Sequence, residues 1–196
     1  MPSAPAIDAA AWLSASLRWH DVQVSDVALD VPASRMRPEA IVAVMALVTR
    51  TIHELDPGGC PSSVLTDELV ERARHRVAAG EVDASGFAAP YRRYRPAELL
   101  AILLTSSSSI GGGHDPVVTH GALTPANVHV EGGLVTRVAP GVMVGVGDRY
   151  RDLAITSAAL AEVVGPGAVA PFFAECGIDR PDPARLDFFV LLSQFG

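Results

Sequence analysis

From Pro38 to Leu55 the apolar residues Ile41, Val42, Met45, Val48, Ile52 and Leu55 recur at helical spacing. A stripe of that length, opened by a proline suited to a first helical turn, has to be buried against other elements. The chain must therefore build a helical core around it. DPGGCP over 56–61 ends this helix. A second helix is expected over 66–79 with Gly80 as its stop, and a third from Pro96 through Leu104. Asp152 to Val164 reads as a fourth, and a last helix covers 184–195 behind Pro181 and Pro183. Upstream, Asp8 can cap a helix over 9–19 with Trp12, Leu13 and Leu17 on one side, and DVQVSDVAL over 21–29 alternates with one slip, as a short bulged strand does.

The polar motifs lie on shorter pieces. VVTH, VHV and LVTRVA, starting at 117, 128 and 134, read as strands. TSSSSIGGGHDP over 105–116 is a low-complexity loop, and 83–95 is a second loop. No segment repeats. The fold class expected is α+β, mostly helical, with a small sheet carrying the polar motifs.

Charge narrows the chemistry. Net charge is −7, which argues against a nucleic-acid partner. All fifteen basic residues are Arg, so no lysine amine is available for a phosphate grip, a Schiff base or a pyridoxal anchor. Cys60 and Cys176 match no metal spacing and read as two free thiols. The N-terminal stretch lacks the basic start and apolar run of a signal peptide, and no stretch reaches membrane-span length. The expectation is a cytoplasmic protein with no membrane partner.

Residues 117–154 read VVTHGALTPANVHVEGGLVTRVAPGVMVGVGDRYRDLA. This segment resembles the catalytic core of the aminoglycoside 3′-phosphotransferases, whose pattern there is HGD, an Asn, a strand, IDxG, then GxxDRYxDLA. HELDPGGCP, RVAAGEVD and the terminal RLDFFVLLSQF are similar to family segments in the right order. The resemblance implies the large, C-terminal lobe of a kinase-like fold over 31–196, with 1–30 as a remnant of the small lobe.

It also implies what is missing. The family's catalytic Asp falls on Ala122, in His120-Gly121-Ala122, and a methyl group accepts no proton. Its metal-binding Asn survives as Asn127, but the partner Asp falls on Pro140. The phosphate-binding Lys has no counterpart. Base, metal ligand and nucleotide clamp are all lost, so phosphoryl transfer, with no cofactor and no metal, is not expected. Asp148-Arg149-Tyr150-Arg151-Asp152 keeps the family pattern and reads as a fold-holding cluster.

The substrate side differs too. Where the family places carboxylates for a polycationic drug, this sequence has Tyr91, Arg92, Arg93, Tyr94 and Arg95; the family's Arg after IDxG becomes Met143, and the acidic tail becomes Gln194-Phe195. A neutral or apolar cavity lined by Arg and Tyr, around Ala122, Asn127 and Met143, suits an anionic or aromatic ligand. The loop at 91–95 is equally well read as solvated surface. His120 is either a structural residue of the loop or a recruited acid/base. His53 reads as a core or capping residue, His129 as exposed on its strand, and His114 and Asp115 as solvated; Gly111–Gly113 is no phosphate loop.

These residues support a repurposed small-molecule protein, in the main reading an enzyme of secondary metabolism performing a cyclisation, isomerisation or elimination. The alternatives are a binding or scaffold pseudokinase, dimerising through apolar surface near 22–48, a remnant without function, and a residual phosphotransferase.

Overall fold

In a computed structural model, the structure describes residues 8–17, 31–32, 35–108, 110, 116–139, 141 and 143–196. The helices are α1 (Ala9–Ser16), α2 (Pro38–His53), α3 (Thr66–Ala78), α4 (Pro96–Ser107), α5 (Tyr150–Val163), α6 (Val169–Glu175) and α7 (Pro183–Leu192). The strands are β1 (Val31–Pro32), β2 (Pro116–Thr119), β3 (Val128–Glu131), β4 (Leu134–Val138) and β5 (Gly145–Asp148).

The stripe on α2 does what its spacing requires. Ile41, Val44, Met45, Val48 and Ile52 are buried where α2 meets α5, α6 and β2. Each such side chain contributes about 1.5–3 kcal/mol by leaving water. Thr49, also buried, donates its hydroxyl to Met45 O at 2.7 Å, which satisfies that polar group within the helix. α5 and α7 pack together, and α3 and α4 lie along α7. Phe188 and Phe189 of α7 meet edge to face at 5.1 Å.

The strands form two small antiparallel sheets, one ordered β1-β3-β4 and one pairing β2 with β5. Val117 stands opposite Gly147 and Thr119 opposite Gly145. The chain at 62–64 adds to β5: Val64 N–H donates to Val146 O at 2.8 Å, and Val146 N–H to Ser62 O at 2.9 Å. Both sheets deliver their chain ends to one place, the loop from His120 to Asn127.

Several expectations hold closely. α3 ends at Ala78, and Gly80 takes the positive φ of 70° that stops it. α1 is shorter than expected and α4 runs one turn longer, into the serine tract. The strand expected at 21–29 and the segment Gly111–Asp115, His114 included, lie outside the described residues. β5 and α6 were not anticipated. GVGD carries little side-chain pattern, and its strand is fixed by pairing with β2. α6 is one short run held by buried Phe172 and Phe173. No helix among the described residues is long and apolar enough to cross a membrane. Of the stretch 22–48, expected to expose apolar surface for a second copy, residues 22–30 and 33–34 lie outside the described residues; over 35–48 Ile41, Val42, Val44, Met45 and Val48 are buried and Met36 and Leu47 are half-buried.

Candidate functional site

The loop is hung from one buried carboxylate. Asp152, in the first turn of α5, is fully buried and accepts from His120 N–H at 2.8 Å, Gly121 N–H at 2.7 Å and His53 Nε2 at 3.2 Å. Burial alone would raise its pKa, but the hydrogen bond and charge of His53 and the two backbone donors hold it below its ordinary 3.8. His53, at the end of α2, therefore ties two helices to the loop. Its expected core role is what the geometry shows.

His120 is fully buried. Its Nε2 donates to Ala139 O at 2.8 Å, and its Nδ1 accepts from Ala122 N–H at 3.3 Å, a pattern that assigns the neutral Nε2–H tautomer. Both ring nitrogens are spent on main chain and His120 does not line the cavity in front of the loop, the geometry of a structural residue. Gly141 passes so close that a Cβ there would stand 2.1 Å from His120 O. Asn127 Nδ2 donates to Ala122 O at 2.7 Å, and the Asn127 main-chain carbonyl accepts from Ala139 N–H at 2.7 Å. Pro140 lies outside the described residues.

In front of this loop is a cavity of about 340 Å³. Ala122, Asn127, Met143 and Phe195 line it, as expected from sequence. Leu69, Ile155, Phe189 and Leu192 make most of the remaining wall apolar. Its cations are Arg72 and Arg76 of α3 and Arg151 of α5, and no Asp or Glu side chain lines it. Arg72 Nη1 reaches Met143 Sδ at 3.2 Å. Arg76 Nη1 donates to Phe195 O at 2.6 Å, and Arg76 Nε lies 3.8 Å from Glu81 Oε2. Arg151 Nη1 donates to Met143 O at 2.8 Å and Thr119 Oγ1 at 3.2 Å. Burial lowers the Arg151 pKa, and neighbouring Asp152 opposes that. Met143 sits at φ 55°, a strained value for a residue other than glycine.

The arginines expected to face this cavity do not line it. Arg93 folds over the Tyr94 ring at 4.9 Å, Arg95 pairs with Glu98 at 2.9 Å, and Tyr91 is half-buried. Burial, then the charge of Asp187, raises the Tyr91 pKa. Arg92 Nε donates to Phe87 O at 3.1 Å. Arg92 and Gln194 line an adjoining, more polar cavity of about 500 Å³ that shares Arg76 and Ser193 with the first, and there Gln194 Oε1 accepts from Ala88 N–H at 2.8 Å. Sequence reading missed Arg72 and Arg76. With Leu69 and Ala73 they fall at i, i+3, i+4 and i+7, one helix face, and that spacing was the available signal.

The rest of the Asp148–Asp152 string bonds within the fold. Asp148 pairs with Arg185 and accepts from Tyr150 N–H at 2.9 Å, while the Arg185 guanidinium lies 4.1 Å from the Tyr150 ring. His129 sits on β3 with Nε2 2.7 Å from Arg137 Nη2. Cys176 is half-buried, and burial pushes its thiol up to about 12.

The donor set does not fit a divalent cation. Asn127 contributes one neutral amide whose nitrogen is bound to Ala122 O, residue 122 brings a methyl, and residue 140 is proline. No group of three or more His, Cys, Asp or Glu able to hold a metal occurs among the described residues.

Comparison with known proteins agrees with this geometry. The chain matches the phosphotransferase enzyme family over residues 12–189. It is 33% identical to an aminoglycoside 3′-phosphotransferase of Streptomyces fradiae across 96% of its own length and 69% of that protein's. A homologue from Escherichia coli is also 33% identical, over 80% of this chain, and the chain spans only 56% of that relative's length. Among solved structures, an aminoglycoside 3′-phosphotransferase of type VIII superposes with a TM-score of 0.75 at 29% identity, covering 87% of this chain and 67% of that one. An aminoglycoside phosphotransferase of Streptomyces rimosus, solved with ADP and streptomycin, shares the fold with a TM-score of 0.77 at 24% identity, covering 96% and 79%. With its catalytic-loop scaffold, helical core and matched span together, the chain belongs to the phosphotransferase enzyme family.

Proposed function

We propose that this family member does not transfer phosphate and instead uses the cavity before the His120–Asn127 loop to bind a small, non-cationic molecule. The observation that carries the reading is the cavity wall: a methyl at Ala122 where the family has its base, three arginines, and no acidic side chain. A polycationic aminoglycoside would meet like charge there, whereas an acidic or aromatic molecule would find arginine and apolar surface. No Asp, Glu, His or Lys side chain lines the cavity, so binding is favoured over proton-transfer chemistry. A role in secondary metabolism as an enzyme of cyclisation or isomerisation type rests on shape and the few polar groups alone.

A residual phosphotransferase is the second reading. It is favoured by the intact bonding of the loop through Asp152, His120 and Asn127 and by the activities named for the relatives. Incubating the purified chain with Mg-ATP and kanamycin, neomycin or streptomycin separates the two. The proposal expects no ADP above the enzyme-free rate and no thermal shift with Mg-ATP; antibiotic-dependent ADP release would sink it.

A further inference from the structure

The geometry points to an amphiphilic monoanion, a single carboxylate on an aromatic or compact aliphatic body, as the occupant of this cavity, with Arg72 as its principal anion-binding residue. The inference rests on the reading that the cavity binds a small molecule, and adds the chemical class and the grip.

The cavity-facing side of α3 carries Leu69, Arg72, Ala73 and Arg76. The same helix carries Arg74, two residues away and off this face, and there the protein supplies a carboxylate: Glu71 Oε1 stands 3.0 Å from Arg74 Nε. Arg76 is partly engaged, by Phe195 O and Glu81. Arg151 at the back of the cavity is held by Met143 O and Thr119 and balanced by Asp152.

Arg72 differs from all three. Among the described residues its one hydrogen bond goes to the Met143 thioether, a weak acceptor, and it forms no ion pair. A guanidinium has five N–H donors arranged as a fork, so this one keeps most of its donors for a planar anion at the cavity mouth. A carboxylate matches that fork with two parallel hydrogen bonds.

The body of the ligand follows from the wall. Leu69, Ile155, Phe189, Leu192 and Phe195 give an apolar surface with no acidic side chain, and about 340 Å³ admits a one- or two-ring skeleton. Inorganic phosphate would leave that surface unused and carry more charge than one fork answers. A neutral apolar molecule would leave the fork unused. One charge with an apolar body uses both.

The probes are 2-naphthoate, 2-naphthamide and 2-naphthylmethylamine, equal in body and different in charge, titrated by calorimetry into the wild-type chain and into Arg72→Gln, Arg72→Lys and Ala122→Leu. Arg72 is exposed and weakly bonded, so its variants should fold; melting curves check that. Naphthoate should bind about tenfold more tightly than the amide, the difference vanishing in Arg72→Gln and surviving in part in Arg72→Lys. Naphthoate and amide binding equally to wild type, with Ala122→Leu blocking both, would overturn the anion grip and leave the cavity reading intact. Tightest binding by the amine would overturn both, as would binding of all three that Ala122→Leu does not alter. Failure of all three to bind at millimolar concentration would overturn the anion grip.

Discussion

Asp152 on α5 and His53 at the end of α2 meet at 3.2 Å, 99 residues apart in sequence. Both are buried or nearly so, and the same carboxylate takes the backbone N–H groups of His120 and Gly121. One side chain thus fixes two helices and the loop that floors the cavity.

That carboxylate predicts acid sensitivity with a definite sign. Its pKa in the fold lies below the ordinary 3.8, so its ionised form is stabilised by folding. The contribution is complete above the unfolded value and is lost as pH falls below 3.8 through the folded one. Melting temperature should therefore drop more steeply below about pH 4 in the wild type than in Asp152→Asn. At pH 7 Asp152→Asn should cost about 3 kcal/mol, because an amide cannot accept from three donors as a carboxylate does. Parallel pH curves for the two proteins would contradict the assignment.

Gly141 offers a sharper test of the loop. A Cβ there would stand 2.1 Å from His120 O and 2.8 Å from Val144 Cγ2. Backbone cannot step aside as a side chain can, so Gly141→Ala should lose about 3 kcal/mol in chemical denaturation. Gly86, with nothing within 4 Å of an added Cβ, is the control: Gly86→Ala should change stability by less than about 1 kcal/mol.

Much of this arrangement could be read from the chain alone, and the failures have physical causes. The α2 stripe and the Gly80 stop follow from local spacing and residue chemistry, and the Ala122–Asn127 floor follows from the resemblance of that segment to the family's catalytic loop. The loop 91–95 misled because charge density says nothing about direction: Arg93 and Arg95 are answered by their own neighbours Tyr94 and Glu98. Arg72 and Arg76 were hidden inside a charged helix, ELVERARHR, where only their phase relative to Leu69 and Ala73 sets them apart from Arg74. β5 owes its existence to β2 and to the chain at 62–64, partners that no window of GVGD can show.

Restoring the absent carboxylate should not restore activity. Ala122→Asp places an acid beside Asn127, yet residue 140 stays proline and no lysine stands in the chain. Purified Ala122→Asp should still release no ADP from Mg-ATP with kanamycin, and should bind 2-naphthoate more weakly than wild type, because a like charge enters the cavity. A gain of kanamycin-dependent turnover would mean that the nucleotide site is more complete than the donor set implies.

Arg76 joins α3 to the end of the chain and gives a prediction that separates binding from folding. Its Nη1 donates to Phe195 O at 2.6 Å, and Phe195 packs edge to face on Phe87 at 6.4 Å. A charged donor to a part-buried carbonyl is worth about 1.5–3 kcal/mol, so Arg76→Ala should lower global stability by about that amount. The loss should be local first: amide hydrogen exchange should accelerate at 193–196, while the amides of α2, which packs on α5, α6 and β2, keep their protection relative to the global value. Arg72→Ala, which breaks only a contact to a thioether, should leave exchange at 193–196 unchanged. Equal acceleration in both variants would show that the two arginines act as one unit and that Phe195 O is not the partner that matters.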